Sequence, residues 1–218
     1  YVKAGRHDEA VKLFRELIER DKENEGARVA LIHVYLLQKK DNLALAELTR
    51  LKSVAEQPQR VDLTIARLYA RQKQFDKAIN IVEKILAKEN LSEARYFLAV
   101  LQVQQGRLEK ALKQIRQIET TAPEFADALL LQVRILREQD KIDEAMQLLQ
   151  DQIDGGKPRN SDIYIMLAAL HQLEGRDDLS KKVLLQGVEV FPKDADLLYE
   201  YGLMLESDGD HEAALGIM

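Results

Sequence analysis

Few side chains in this sequence are of the types that ligate transition metals or move protons. There are four histidines, His7, His33, His171 and His211, and no cysteine; among many carboxylates, Asp177 with Asp178 and Asp194 with Asp196 stand as close pairs. Histidines converging on one point would make a metal site, and two carboxylates facing a substrate would make a general acid–base pair. Gly155, Gly156 and Lys157 invite a phosphate-loop reading, but the required spacing of Gly, Lys and Ser or Thr after a strand is missing. No serine, histidine and acid arrangement and no glycine-rich dinucleotide turn is present. Whether the histidines can meet depends on the elements that carry them.

Those elements are revealed by a period. Ala10, Ala44, Ala78, Ala111, Ala145, Ser180 and Ala214 stand 34, 34, 33, 34, 35 and 34 positions apart. A period of about 34 residues is the length of a helix-turn-helix unit that stacks into a solenoid, with the small residue letting two helices approach closely. With that residue as position 20, the spacing predicts complete repeats at 25–58, 59–91, 92–125, 126–160 and 161–194, and partial repeats at 1–24 and 195–218. Two cut ends would leave apolar faces uncovered, so an excerpt of a longer chain is expected. The four histidines fall in different units, and helix layers roughly 10 Å apart keep them from meeting on one metal. No metal site, no cofactor and no catalysis are therefore expected. His171 is expected to pack between helices with one nitrogen satisfied, and the paired carboxylates to cap helices.

Between the small residues, apolar positions such as Val11, Phe14, Leu17 and Ile18, or Leu112, Ile115 and Ile118, follow a helical period, and no strand pattern appears. Pro58, Pro123, Pro158 and Pro192 all fall at unit ends, where proline is expected to stop each second helix. Gly5, Gly106, Gly175 and Gly209 recur at position 15, the turn inside the unit. Lys39, Lys73 and Asp140 hold that place elsewhere, which predicts turns that are more strained or differently shaped. Gly187, inside a second helix, marks a close helix contact. The breaker cluster at 155–160 reads as a longer loop between repeats, with a hinge as the alternative.

Composition narrows the partner. The chain has 218 residues, 46% of them hydrophobic, with 32 basic and 37 acidic side chains and a net charge of −5. That balance supplies no field for nucleic acid or an anionic membrane. No apolar run approaches the roughly 18 residues of a membrane span. Residues 1–125 hold 23 basic and 18 acidic side chains, a net +5, whereas residues 126–218 hold 9 and 19, a net −10. Absence of cysteine fits a reducing cytoplasm and a bacterial envelope equally, so the compartment stays open.

Phe75 to Ala78 with Val82, Ile85 and Asn90, and Leu167 through Gly175, Ser180, Leu184, Gly187 and Pro192, resemble the second-helix and turn pattern of the tetratricopeptide repeat family; Tyr1, Tyr35 and Tyr69 match its position-11 aromatic. The likeness spans essentially the whole chain. It departs at position 4, often Trp, which holds Arg28, Asp62, Arg95, Leu129, Tyr164 and Leu198, and at position 8, which is Gly only at Gly202. The resemblance implies an all-α, right-handed α-solenoid of stacked antiparallel helix pairs, similar to the long arrays of bacterial scaffold proteins, including envelope-anchored ones.

In that family the first helices line a concave groove through positions 2, 5, 9, 12 and 13. Carried over, the groove holds Val29, His33 and Leu37, then Leu63, Arg67 and Arg71, then Tyr96, Val100 and Gln104. It continues with Leu130, Arg134 and Arg137, then Ile165 and Gln172, then Tyr199 and Leu203. Apolar anchors with arginines suit a peptide or helix carrying hydrophobic side chains and carboxylates. Position 5 lacks the Lys or Asn with which some members grip a C-terminal carboxylate. The implied function is a non-catalytic protein-interaction scaffold. Two alternatives remain open: a module that self-assembles through its unequal charge, and the substrate-gripping arm of an enzyme or envelope complex outside this segment.

Overall fold

The computed structural model describes residues 6–156 and 160–217, and among them it contains thirteen helices and no strand. They divide into two compact units, the first ending at Gln117 and the second starting at Ile118. The first unit comprises α1 (His7–Arg20), α2 (Glu25–Leu37), α3 (Asp41–Leu51), α4 (Pro58–Arg71), α5 (Phe75–Leu86), α6 (Ser92–Gln104) and α7 (Leu108–Ile115). The second comprises α8 (Phe125–Glu138), α9 (Ile142–Asp154), α10 (Asp162–Leu173), α11 (Asp177–Val190), α12 (Ala195–Ser207) and α13 (His211–Ile217). Within each unit every helix packs on the next in chain order, and in the second α10 also touches α12. This is the all-α solenoid class of fold.

The odd-numbered helices carry the seven small residues, each between 0% and 1% exposed. A larger side chain there would force neighbouring helices apart. Within each unit α2, α4, α6, α10 and α12 lie between two such neighbours and bury residues on more than one side. On α2 these are Ala27, Arg28, Leu31, Ile32, Val34 and Tyr35. Where the family often places Trp, the first unit places polar side chains. Arg28 and Glu47, each 8% exposed, pair at 3.0 Å, and the second Arg28 amino group donates to the Lys22 carbonyl at 2.9 Å. Asp62 pairs with Lys52 at 2.7 Å, and Arg95 donates to Gln114, Gln117 and Asn90. In the second unit the same position holds buried Leu129 and Tyr164.

Six turns inside helix pairs share one geometry. Lys39, Lys73, Gly106, Asp140, Gly175 and Gly209 all have positive φ, between 55° and 81°. After each, the next amide donates to the carbonyl five residues back, at 2.8–2.9 Å, as from Lys40 to Tyr35 and from Arg107 to Gln102. The non-glycine turns are therefore not differently shaped. They adopt the left-handed conformation and carry its strain, because the packed helices on either side fix the path. Gly5 lies outside the described residues.

Pro58 does not stop a helix. It opens α4 at the first helical position, where its missing amide hydrogen has no bond to lose; α3 has already ended at Leu51. Pro158 lies outside the described residues, as do Lys157 and Arg159, and with them most of the expected loop or hinge.

Gly187 of α11 sits where three helices meet. A Cβ there would lie 2.9 Å from Cβ and Cγ of Tyr164 in α10 and 3.0 Å from Cδ2 of Leu197 in α12. Asp194 caps α12 by accepting from the Leu197 amide at 3.0 Å, and Ser161, at the start of α10, donates to its other oxygen at 2.7 Å. Both bonds favour the ionised form, and they hold the Asp194 carboxyl below its usual range.

Candidate functional site

Residues four apart on a helix share a face, so Val29, His33 and Leu37 form one stripe along α2. Arg67 and Arg71 do so on α4, Tyr96, Val100 and Gln104 on α6, and Tyr199 and Leu203 on α12. The stripe on α2 is exposed throughout. Leu63, expected to head the stripe on α4, is only 2% exposed and belongs to the core with Ala66, Ala78 and Val82, so it offers a partner nothing. Tyr96, Val100, Leu130 and Ile165 are half-buried, while Gln104, Arg134, Arg137 and Gln172 are exposed.

In the second unit α10 and α12 touch, and Gln172 Nε2 lies 4.0 Å from Met204 Sδ. These two helices expose Leu173 at 65%, Tyr199 at 56% and Leu203 at 44%. Apolar side chains this open on adjacent helices leave area that a partner can cover. Arg134 and Arg137 on α8 form no ion pair among the described residues.

The two groove arginines of the first unit, Arg67 and Arg71, are already engaged. Arg67 pairs with Glu93 at 2.6 Å and lies 5.8 Å from the Phe97 ring centroid. Arg71 grips both oxygens of Asp41, one through Nε at 3.2 Å. The Asp41 bond belongs to a series. Gln38 donates to Asp8 at 3.0 Å and Gln105 to Asp76 at 3.1 Å, so the ends of α2, α4 and α6 are each tied to the first turn of the second helix before them. An acid at that turn also complements the helix dipole. Each of these bonds spans 29 or 30 residues, a recurrence that aligning the repeats by their small residues could have exposed.

Val29 lines an open pocket of about 360 Å³ between α2, α3 and α4. Its floor is Ile32, Leu48, Leu51 and Val61, and its rim is Glu25, Glu56, Gln57, Arg60 and Thr64. Sequence periodicity missed the rim because it comes from a loop and a neighbouring helix.

Among the described residues there is no group of three or more His, Asp or Glu side chains placed to hold a metal ion. His33 is exposed on α2. His171 of α10 lines a cleft with Asp143, Met146, Gln147 and Gln150 of α9, and its Nδ1 is buried with no hydrogen-bond partner. Burial first, and the Arg176 charge second, lower its pKa and favour the neutral ring. No described helix is long and apolar enough to cross a membrane.

Residues 1–61 match the tetratricopeptide repeat family model, and residues 71–152 match the model of the anaphase-promoting complex, cyclosome, subunit 3. No curated protein matches the chain. Among solved structures it is similar to a tetratricopeptide repeat protein from Parabacteroides merdae, with a TM-score of 0.62 and 19% identity over 100% of this chain and 86% of that one. It is also similar to Pseudomonas aeruginosa pilF, at 0.61 and 17% over 95% and 92% of the two chains. A third is YrrB, described as a TPR protein with an unusual peptide-binding site, at 0.54 and 16% over 90% and 97%. At these identities the structures speak for the fold.

Proposed function

Because this chain is a tetratricopeptide-repeat protein, built on a fold that serves as a protein-interaction scaffold, we propose that its first helices hold a peptide or helix of a partner protein. The observation that carries this reading is the exposure of Leu173, Tyr199 and Leu203 on two helices that touch. The partner is expected to bring apolar side chains to that patch and carboxylates to Arg134 and Arg137, whose guanidinium groups bind carboxylates in a fork. In the first unit, the Val29 pocket takes a single apolar anchor. Arg67 contributes by exchange: its pair with Glu93 is about half exposed and worth at most about 1 kcal/mol, so a partner carboxylate can displace Glu93. Arg71, held at both oxygens of Asp41, is left out, as is buried Leu63. The repeat boundaries at 25, 59, 92, 126, 161 and 195 belong to the same proposal, as does a role in binding and not in catalysis.

The test is selection of binders from a displayed random-peptide library, with sites mapped by hydrogen exchange. Selected peptides should pair apolar with acidic residues, protect α10 and α12, and lose binding to the Tyr199→Ala, Leu203→Ala variant. Peptides that bind parent and variant alike would refute the assignment. Self-assembly is the second reading, favoured by the net +5 and −10 of the two portions of the chain. It requires association that strengthens at low salt, and concentration-independent sedimentation there would exclude it.

A further inference from the structure

A second polar surface lies away from the stripe on α2. Arg15, Ile18, Glu19, Lys22, Arg28, Leu31, Glu47 and Arg50 line an open cleft of about 420 Å³ formed by α1, α2 and α3. Four of these side chains are cationic and two anionic, in a chain whose overall charge is negative. The most buried of the cations is Arg28. Its guanidinium is nine-tenths buried against Glu47, and its Nε, also buried, has no hydrogen-bond partner. Glu47 is shared, because Arg50 pairs with it as well while remaining largely exposed. Arg15 has a neutral partner, donating from Nε and Nη2 to the Tyr35 hydroxyl at 3.2 and 2.8 Å. Lys22 forms no ion pair among the described residues. One buried carboxylate thus serves two guanidinium groups, and Glu19 is the other acid that lines the cleft.

We infer that this cleft binds an acidic segment of a partner polypeptide, with Arg15, Lys22 and Arg50 receiving its carboxylates and Arg28 with Glu47 fixing the wall behind them. Guanidinium groups accept carboxylates in a planar fork, and the apolar floor of Ile18 and Leu31 excludes water from part of each contact, which strengthens it. The site differs in its residues from the first-helix reading and stands or falls separately.

The experiment uses the full chain and a fluorescein-labelled hexaglutamate peptide, followed by fluorescence anisotropy, with hexalysine as the control. Lys22→Glu with Arg50→Glu changes two exposed side chains, and circular dichroism should report an unchanged helix content. The expected result is hexaglutamate binding that weakens with salt and falls at least about tenfold in this variant, with the exposed-lysine control Lys182→Glu, Lys193→Glu retaining it. No binding by the parent, or equal affinity in parent and Lys22, Arg50 variant, overturns the inference. Loss in an Arg134→Glu, Arg137→Glu variant with none in the Lys22, Arg50 variant also overturns it and moves acid recognition to the second unit. Peptides selected on α10 and α12 read out the first-helix proposal independently.

Discussion

Replacing Gly187 with alanine sets two well-known effects against each other. In an open helix the change stabilises, by about 1 kcal/mol from propensity alone. Here the new Cβ would lie 2.9 Å from Cβ and Cγ of Tyr164. Carbon pairs settle near 3.5–4.0 Å, so α10 and α11 must separate by about 0.6–1.1 Å. Tyr164 is 1% exposed, and its Cβ is fixed to the backbone of a packed helix, so no rotamer change relieves the contact. Overpacking of this kind costs about 1–3 kcal/mol, and a rigid neighbour places Gly187→Ala in the upper half of that range. The expected net loss is about 1–2 kcal/mol, read as a lower urea midpoint and a lower Tm. Gly26 supplies the internal control. It lies in the first turn of α2, where an added Cβ would come no nearer than 3.7 Å to Asn24 Oδ1. Gly26→Ala should raise both midpoints. If Gly187→Ala stabilises as Gly26→Ala does, the close approach of α10, α11 and α12 is refuted.

Lys39→Gly and Lys73→Gly should each stabilise by about 0.5–1 kcal/mol, because left-handed geometry costs a side-chain-bearing residue about 1–2 kcal/mol and the more flexible unfolded glycine chain returns part of that; denaturant melts check this. Ser180→Ala should gain about 1 kcal/mol in the same assay, since the Ser180 hydroxyl is fully buried with no hydrogen-bond partner. Asp194→Ala removes the cap of α12 and should cost about 1 kcal/mol at neutral pH. Its dependence on pH follows from the lowered Asp194 pKa. The stabilisation is complete above the ordinary carboxylate pKa, near about 3.9, and disappears as pH falls through the lowered folded value. The gap between parent and variant should therefore close in acid. A gap that is constant from neutral pH to pH 2 contradicts the Ser161 and Leu197 bonds as its cause.

The helix register was legible because burying the 34-residue series demands small side chains, and all seven are shut away. The turns were legible in place but not in shape. Lysine at the turn suggests a different bend when taken alone, whereas packing of the flanking helices imposes the same positive φ as glycine. Among groove candidates, Val29 and Leu63 share a repeat position, yet one is open and the other is in the core. Periodicity fixes the face of a helix, and the neighbour decides how much of that face remains. Arg71 shows the same limit. Its partner Asp41 lies 30 residues away, beyond any single helix.

The polar side chains at position 4 bear on how a repetitive chain assembles. Near-identical helix pairs invite mistaken partners, and misassembly is a characteristic failure of repeat proteins. In the first unit three helix junctions carry their own keys: Arg28 with Glu47 between α2 and α3, Asp62 with Lys52 between α4 and the end of α3, and Arg95 with Gln114 and Gln117 between α6 and the end of α7. If α2 docked on the wrong second helix, Arg28 would be buried without its carboxylate, at a cost of about 3–5 kcal/mol. A tryptophan at that position would pack against any neighbour. Giving up the common aromatic thus exchanges a general adhesive for an address, and these three junctions of the first unit become chemically distinct to the folding chain.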